Sequence, residues 1–434
     1  MARRKSALVF LLLCVMVLFL SPWANVPSSP ATVVPVPKGE TLATEEPVVA
    51  REVSHLTVDV ALEEPEFNAL VLQNDEFTLR HPDIMVELTR VDPKQAYRAY
   101  KNASELDEAS DIMLLSNEWV KEFASSGFLL PADAAYEGKA LTEQFDAVTA
   151  PLKWNGYLWG VPRAMDPFVL IWNMDLLHQW LGEDVALPLT IEQWTDLATM
   201  SAQAAETDLP SWLTIDRNDP LSLLSWLENA TAERSDGIWD EEEKPWTDTP
   251  FGQALTVIDQ YKANVRFVSG IEEAEALLNG GKTLAAIVPN SLASEWMEEP
   301  RSNLEPKLEV DRHSWKLPYV WTRGSSFAIS SDTAAEEAAY TWISEMTNDR
   351  NQRLNREKWG ILPVYRSLYD SDRTLGNLLP GRTGQTFPNQ PPLYTGPELP
   401  ERLEQLAALW SRLSTGAIEA EQFKTDWSEE KGNE

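Results

Sequence analysis

Residues Gly160 to Leu177, GVPRAMDPFVLIWNMDLL, leave the chain few ways to fold. Just upstream, Trp154-Asn155-Gly156-Tyr157 predicts a tight hairpin, because Asn-Gly supplies the positive φ angles that a two-residue turn needs. Pro162 and Pro167 then hold the backbone extended around a single carboxylate, Asp166. The apolar run Phe168-Val169-Leu170-Ile171-Trp172 is short and bounded, as in a strand buried on both faces. Asn173 can cap a helix whose first turn carries Asp175, where a negative charge suits the dipole. One carboxylate is thus held on a strand entry between aromatic residues.

The stretch upstream reads as β-α-β-α-β. Leu56 to Val60 alternates as a strand, Phe67 to Leu79 has helical spacing, and Ile84 to Leu88 is a second strand. A helix to about Leu106 leads to a third strand, Ser110 to Leu115. Such a run implies a parallel sheet with its ligand loops at the carboxyl ends of the strands. Downstream, Thr190 opens a capped helix, Phe251 to Tyr261 and Ile271 to Leu278 are helical, and Thr283 to Val288 is an apolar strand. Ser325 to Ser331 reads as a strand, Ala334 to Met346 as a helix, and the chain closes with helices near 403–413 and 418–427.

Several motifs are excluded. Gly281-Lys282-Thr283 is not a phosphate-binding loop, since the first glycine of that pattern would be residue 276, which is Ala276. Asp240-Glu241-Glu242-Glu243 lacks calcium-loop spacing and reads as a solvated loop. His55, His81, His178 and His313 form no metal-ligand pattern. No nucleophile elbow or zinc-protease signature occurs, so no catalytic residue, metal or cofactor is expected. A formal charge of −32 repels nucleic acid and anionic lipid.

The first residues look like an export signal. Arg3-Arg4-Lys5 precedes an unbroken apolar run, Ala7 to Leu20. Leu13 before Cys14, and a run that continues past it, argue against a lipidation site. Cleavage after Ala24, Ser28 or Ala31 and retention as a signal anchor both stay open. If the run is cleaved, the mature chain contains no cysteine and so no disulfide. Residues 25–53 carry Pro27, Pro30, Pro35, Pro37 and Pro47, a tether that could reach roughly 80–90 Å when extended.

With these pieces in order, the chain resembles the extracellular solute-binding proteins of ABC transporters, family 1, the maltose-binding type. The carriers are Gly160-Val161-Pro162 followed by an acid, then Trp172-Asn173-Met174-Asp175-Leu176 for the family's aromatic-Asn-x-Asp-Leu. Pro82-x-Ile84-x-Val86, Asp111-Ile112, Gly127-x-Leu129-x-Pro131 and Gly360-Ile361-Leu362-Pro363-Val364 fall in the family's order. The resemblance spans about residues 54–427. It implies an α/β, two-lobed periplasmic-binding-protein-like fold (type II), each lobe a mostly parallel sheet flanked by helices, with a multi-strand hinge. The expected division is 1–24 signal peptide or anchor, 25–53 tether, 54–163 with 325–380 as lobe 1, and 164–324 with 381–434 as lobe 2. Crossings are expected near 163–168, 322–326 and 380–390.

The resemblance further implies a carbohydrate ligand, mono- or oligosaccharide, handed to ABC-permease subunits by an exported monomer. That protein would sit in the periplasm or at the extracellular face of the cytoplasmic membrane, held there if the first segment is retained. Sugars offer apolar C–H faces to aromatic rings and hydroxyl donors to carboxylates. Glu63, Glu64, Glu118, Trp119, Asp166, Trp321 and Arg323 stand at loop or strand ends where such contacts are feasible. Each can equally be surface charge or core. Two other readings use the same residues: a membrane-tethered sensor or assembly partner that has lost transport, and a glycoside hydrolase built on two carboxylates.

Overall fold

The Asn155-Gly156 turn forms as its residues require. Both have positive φ, 47° and 86°, and they join the short antiparallel strands β5 (Lys153–Trp154) and β6 (Tyr157–Leu158). In the computed structural model the described residues are 53–136, 143–203, 210–233, 238, 246, 248–298, 305–316, 320–379, 387–388 and 396–430. The expected signal, nearly all of the tether, the acidic loop at 240–243 and most of the 380–390 crossing lie outside them.

Two mixed sheets organise the chain. In the first, β1 (Ser54–Val60) lies between β2 (Ile84–Arg90) and β3 (Ile112–Ser116), all parallel. The next neighbour, β13 (Ser325–Ser330), is antiparallel to β3, to β4 (Leu129–Leu130) and to β7 (Val161–Ala164). The second sheet has the order β10-β9-β11-β8-β12, from β8 (Phe168–Asn173), β9 (Leu213–Asp216), β10 (Val265–Val268), β11 (Ala285–Pro289) and β12 (Leu308–Asp311). Here β9, β10 and β11 are parallel and β8 runs against β11 and β12. The parallel strands are those linked through helices. The antiparallel ones, β8 and β13, follow the crossover segments, and each is the one reversed strand of a sheet that is otherwise parallel, the mostly parallel pattern expected.

β8 shows why its sequence is apolar throughout. Phe168, Leu170 and Trp172 pack into one core, Val169 and Ile171 into another, the alternation of a strand covered on both faces. On the first face Trp172, Trp194, Trp212 and Trp226 are all buried. Trp194 is the hub, its ring centroid 5.0 Å from Trp172, 5.9 Å from Trp212 and 5.8 Å from Trp226.

Helix starts follow local chemistry. Asn173 caps Met174–Leu181 by accepting from the Leu176 N–H at 3.1 Å. Thr190 and Gln193 make a reciprocal capping box, 3.3 and 2.9 Å, at the head of Ile191–Gln203. Asp219 caps Pro220–Thr231 through the Leu221 N–H at 2.9 Å.

The packing after β13 departs from the expected division. Helix Glu336–Met346 buries Trp342, Ile343 and Met346 against the first sheet. Leu362, Val364, Leu368 and Leu375, expected with the first lobe, share a core with Val169, Ile171, Ala286 and Val288 of the second sheet. Phe145 and Val148 join that core too. The chain therefore changes cores between Met346 and Leu362, around helix Asp349–Trp359, well before residue 380.

Candidate ligand site at the crossover strands

The two crossovers of the chain run side by side. β7 pairs with β13, and past the end of β7 the Asp166 N–H donates to the Thr322 carbonyl at 2.8 Å. A third segment flanks them: Met165 and Leu362 exchange backbone bonds of 3.2 and 3.0 Å, while the Gln352 amide donates to the Arg163 carbonyl at 2.7 Å and accepts from the Val364 N–H at 3.0 Å. Gly324 is required where the strands converge. A Cβ there would fall 2.6 Å from the Ala164 carbonyl oxygen and collide with the Asn117 side-chain amide.

Asp166 projects from the first crossover onto the head of helix Asn290–Glu298. Its carboxylate accepts from the Ser291 N–H at 2.8 Å and from the Ser291 hydroxyl at 2.7 Å. A helix N-terminus is favourable ground for an anion. Burial nevertheless pushes the Asp166 carboxyl up, against the opposing pull of Arg323 and Ser291.

Arg323 stands in the left-handed region, φ 44°, uncommon for a residue with a Cβ. That conformation aims its guanidinium at three groups. It lies 3.8 Å from Asp166, 3.5 Å from Asp219 and 4.7 Å above the Phe168 ring. Glu118, in the loop after β3, is only 7% exposed. It accepts from the Ser116 hydroxyl, and burial raises its pKa while Arg323 lowers it and Asp219 raises it further. Asp216, at the end of β9, is raised as well, first by burial. One guanidinium thus serves four carboxylates carried by both sheets, and the surplus is acceptor capacity.

Sequence reasoning brought together Glu118, Asp166 and Arg323. It did not anticipate Asp216, Asp219, Ser291 or Glu66. Glu66 lies 3.6 Å from Arg163, and its pKa is raised first by burial, with Arg163 opposing and Asp166 adding to the rise. The Asp219-Pro220 pair was a readable cap signal, and Asn290-Ser291 follows the carboxyl end of a strand; Glu66 is one acid among several on its helix.

The other expected site residues stand elsewhere. Glu63 and Glu64 are exposed at the start of helix Glu64–Arg80, with Glu63 3.5 Å from Arg90. Trp119 is half-buried against the first core, its ring 5.4 Å from Tyr97. Trp321 is 3% exposed and packed in the second core, so it contributes mainly to packing beside the site. Among the described residues no group of three or more His, Cys, Asp or Glu side chains is arranged to hold a metal. Nor is any described helix long and apolar enough to cross a membrane.

The profile of the family described as bacterial extracellular solute-binding protein matches residues 74–374, which take in the second sheet, every strand of the first except β1, and all three crossing segments. The chain belongs to this family. As a solute-binding protein it is a receptor and not an enzyme, and the family places it outside the cytoplasm.

Solved structures of similar fold include maltose-bound MalE3 of T. maritima, 21% identical over 88% of this chain and 99% of that one, with a TM-score of 0.66. The GacH receptor of Streptomyces glaucescens, studied unliganded and with acarbose, is 18% identical over 87% and 97%, TM-score 0.65. An ABC-transporter solute-binding protein of Agrobacterium vitis with bound D-mannitol is 16% identical over 88% and 98%, TM-score 0.65. These likenesses establish the two-lobed α/β architecture of the solute-binding protein.

Proposed function

We propose that this solute-binding protein captures a carbohydrate between its lobes, at the Asp166–Arg323–Glu118 cluster, and delivers it to an ABC permease. The observation that carries this reading is the surplus of carboxylates, one buried and the others half-buried, around one guanidinium where the crossover strands meet. Ring hydroxyls are good donors to such acceptors, and the Arg323–Phe168 stack offers a flat surface beside them. MalE3, GacH and the A. vitis protein, which share the fold, were solved with maltose, acarbose and D-mannitol respectively.

On this reading one lobe is built on residues 54–136 with 325–348 and the other on 164–324 with 349–430, Phe145 and Val148 packing with the second, and the crossing segments between them form the hinge. The protein works as a monomer at the outer face of the cytoplasmic membrane or in the periplasm, with residues 1–24 as signal or anchor and 25–53 as tether. Trp119 and Glu66 would meet the ligand only on closure.

A thermal-shift panel of neutral mono- and oligosaccharides tests the proposal. A ligand at 100 times its dissociation constant adds about 2.7 kcal/mol. At least one sugar should raise the melting temperature of the wild type, and raise that of Asp166→Asn by clearly less. A panel in which no sugar stabilises the wild type, while amino acids or peptides do, would replace carbohydrate with another solute.

A further inference from the structure

Next to Ser291, the residue that holds Asp166, three elements of the second lobe meet at Asn290. They are the head of helix Asn290–Glu298, Arg312 just after β12, and the last turn of helix Asp349–Trp359. Asn290 is fully buried and ties them together. Its side-chain oxygen accepts from Arg312 Nε at 3.1 Å and Nη2 at 3.0 Å, and its amide donates to the Gly360 carbonyl at 3.3 Å. Gly360 ends its helix at φ 65°, so close to the neighbouring helix that a Cβ would stand 2.9 Å from the Ser291 carbonyl oxygen.

This approach sets two like charges against each other. Arg356, one turn before Gly360, acts on Arg312 from within a half-buried surround, and burial first and Arg356 second bring Arg312 down to about 10. Among the described residues no carboxylate enters that balance. The Arg312 guanidinium instead lies 5.4 Å from the Trp315 ring centroid. Two donors on one face of the helix, Arg356 Nε and Trp359 Nε1, are buried without an acceptor; residues three apart are neighbours on a helix surface. A basic residue in a last turn offsets the helix dipole, which accounts for the charge of Arg356 but not for the placing of its Nε beside the Trp359 indole N–H. Between two guanidinium groups, the acceptor that suits these donors best is one carrying negative charge.

We propose that Arg312, Arg356 and Trp359 form a second ligand site, separate from the interlobe cleft, that binds a small oxyanion, phosphate or carboxylate. The anion's oxygens take the Arg356 Nε and Trp359 Nε1 donors and the outer edge of Arg312, while Asn290 keeps that guanidinium in place. In a chain of net charge −32 the diffuse field repels anions, so uptake at this junction reports local donors and not general basicity.

The test is thermal unfolding and calorimetry of the full chain in inorganic phosphate, in acetate, and in chloride at matched ionic strength near pH 7.5. Phosphate or acetate should stabilise the wild type in a saturable way beyond chloride, and the stronger of the two names the oxyanion class. Arg356→Gln should weaken that binding at least tenfold. Trp359→Phe keeps the ring and deletes one donor, so it should weaken binding by a smaller factor and covers the case in which the arginine variant does not fold. Absence of any phosphate or acetate effect beyond chloride in the wild type, or an equal effect in folded variants, overturns the site. Sugar binding at the cleft is measured separately and bears on neither outcome.

Discussion

The Arg323 guanidinium lies 3.5 Å from the Asp219 carboxylate, an ion pair that ties the second crossover to the cap of helix Pro220–Thr231. The same group faces Asp166 at 3.8 Å. Both pairs are long and partly exposed, worth about 0.5–1 kcal/mol each. Removing the cation also leaves Glu118, Asp166 and Asp219 to repel one another. Arg323→Gln should therefore lower stability by about 1–2 kcal/mol at pH 7.5, measured by urea unfolding. The loss should shrink as pH is lowered from 7.5, because Glu118 and Asp166, whose pKa values are raised by burial, take up protons; an equal loss at every pH would mean that Arg323 acts by packing on Phe168 alone.

Glu66, Glu118, Asp166 and Asp216 all have pKa values raised in the folded protein, burial being the first cause for each. The folded state then holds these protons more tightly than the unfolded chain. The stabilisation is complete below the ordinary carboxylate values of 3.8–4.5 and is lost as pH rises through the folded ones. Ligand-free protein should accordingly gain stability on going from pH 7.5 to 5. Relief of the overall negative charge acts in the same direction, so the decisive comparison is with Glu118→Gln, which keeps an acceptor for Ser116. Its stability should depend less steeply on pH than the wild type's, and identical slopes would remove Glu118 from the account.

The four-tryptophan cluster is the second lobe's main packing unit. Trp194 touches Trp172, Trp212 and Trp226 with ring centroids 5.0–5.9 Å away. Trp194→Ala should cost about 3–5 kcal/mol and collapse the near-ultraviolet dichroism of the coupled rings. A loss under 1 kcal/mol would show that the cluster repacks around the gap.

How much of this was legible follows from the range of each signal. The Asn155-Gly156 turn, the Asn173 cap and the short buried run Phe168 to Trp172 are set by neighbours in sequence, and each formed as read. Asp166 was readable because two prolines isolate it at a crossover. The partners that hold it, Ser291 and Arg323, are distant in sequence, and no local pattern joins them. Trp321 read as a site residue because aromatic rings suit both sugars and cores, and only packing separates the two. The expected lobe boundary at 380 came from the family resemblance, whereas the packing of Leu362 to Leu375 depends on the face of the second sheet presented by β8 and β11.

Asp166 has two duties. Its carboxylate accepts two bonds from Ser291, and on the proposed reading it also accepts from ligand hydroxyls. Asn keeps one acceptor oxygen and turns an amide donor toward Ser291 or Arg323. Asp166→Asn should therefore cost about 1–3 kcal/mol of stability and ten- to hundred-fold in ligand affinity. Calorimetric titration with whichever sugar stabilises the wild type, beside urea unfolding without it, separates the duties. Unchanged affinity in a folded variant would remove Asp166 from the ligand site.

Gly324 carries the last prediction. It follows the left-handed Arg323 and precedes β13, and its carbonyl accepts from the Asn117 N–H at 3.0 Å. The missing side chain lets Asn117 and the Ala164 carbonyl close in on the crossover. Asn117 is also fixed from the other side, its oxygen accepting from the Ser326 hydroxyl at 2.6 Å, so it has little room to yield. A methyl group at 324 must push apart β3, β7 and β13, the strands that carry Glu118 and lead to Asp166 and Arg323. Overpacking of a buried site costs about 1–3 kcal/mol, and Gly324→Ala should lose at least that. It should also weaken ligand binding, although no atom at 324 needs to touch the ligand. Pairing it with Asn117→Ala, which vacates the space, should return part of the stability. A double variant no more stable than Gly324→Ala would place the clash on the Ala164 backbone, and a single variant as stable as the wild type would show that the strands part without cost.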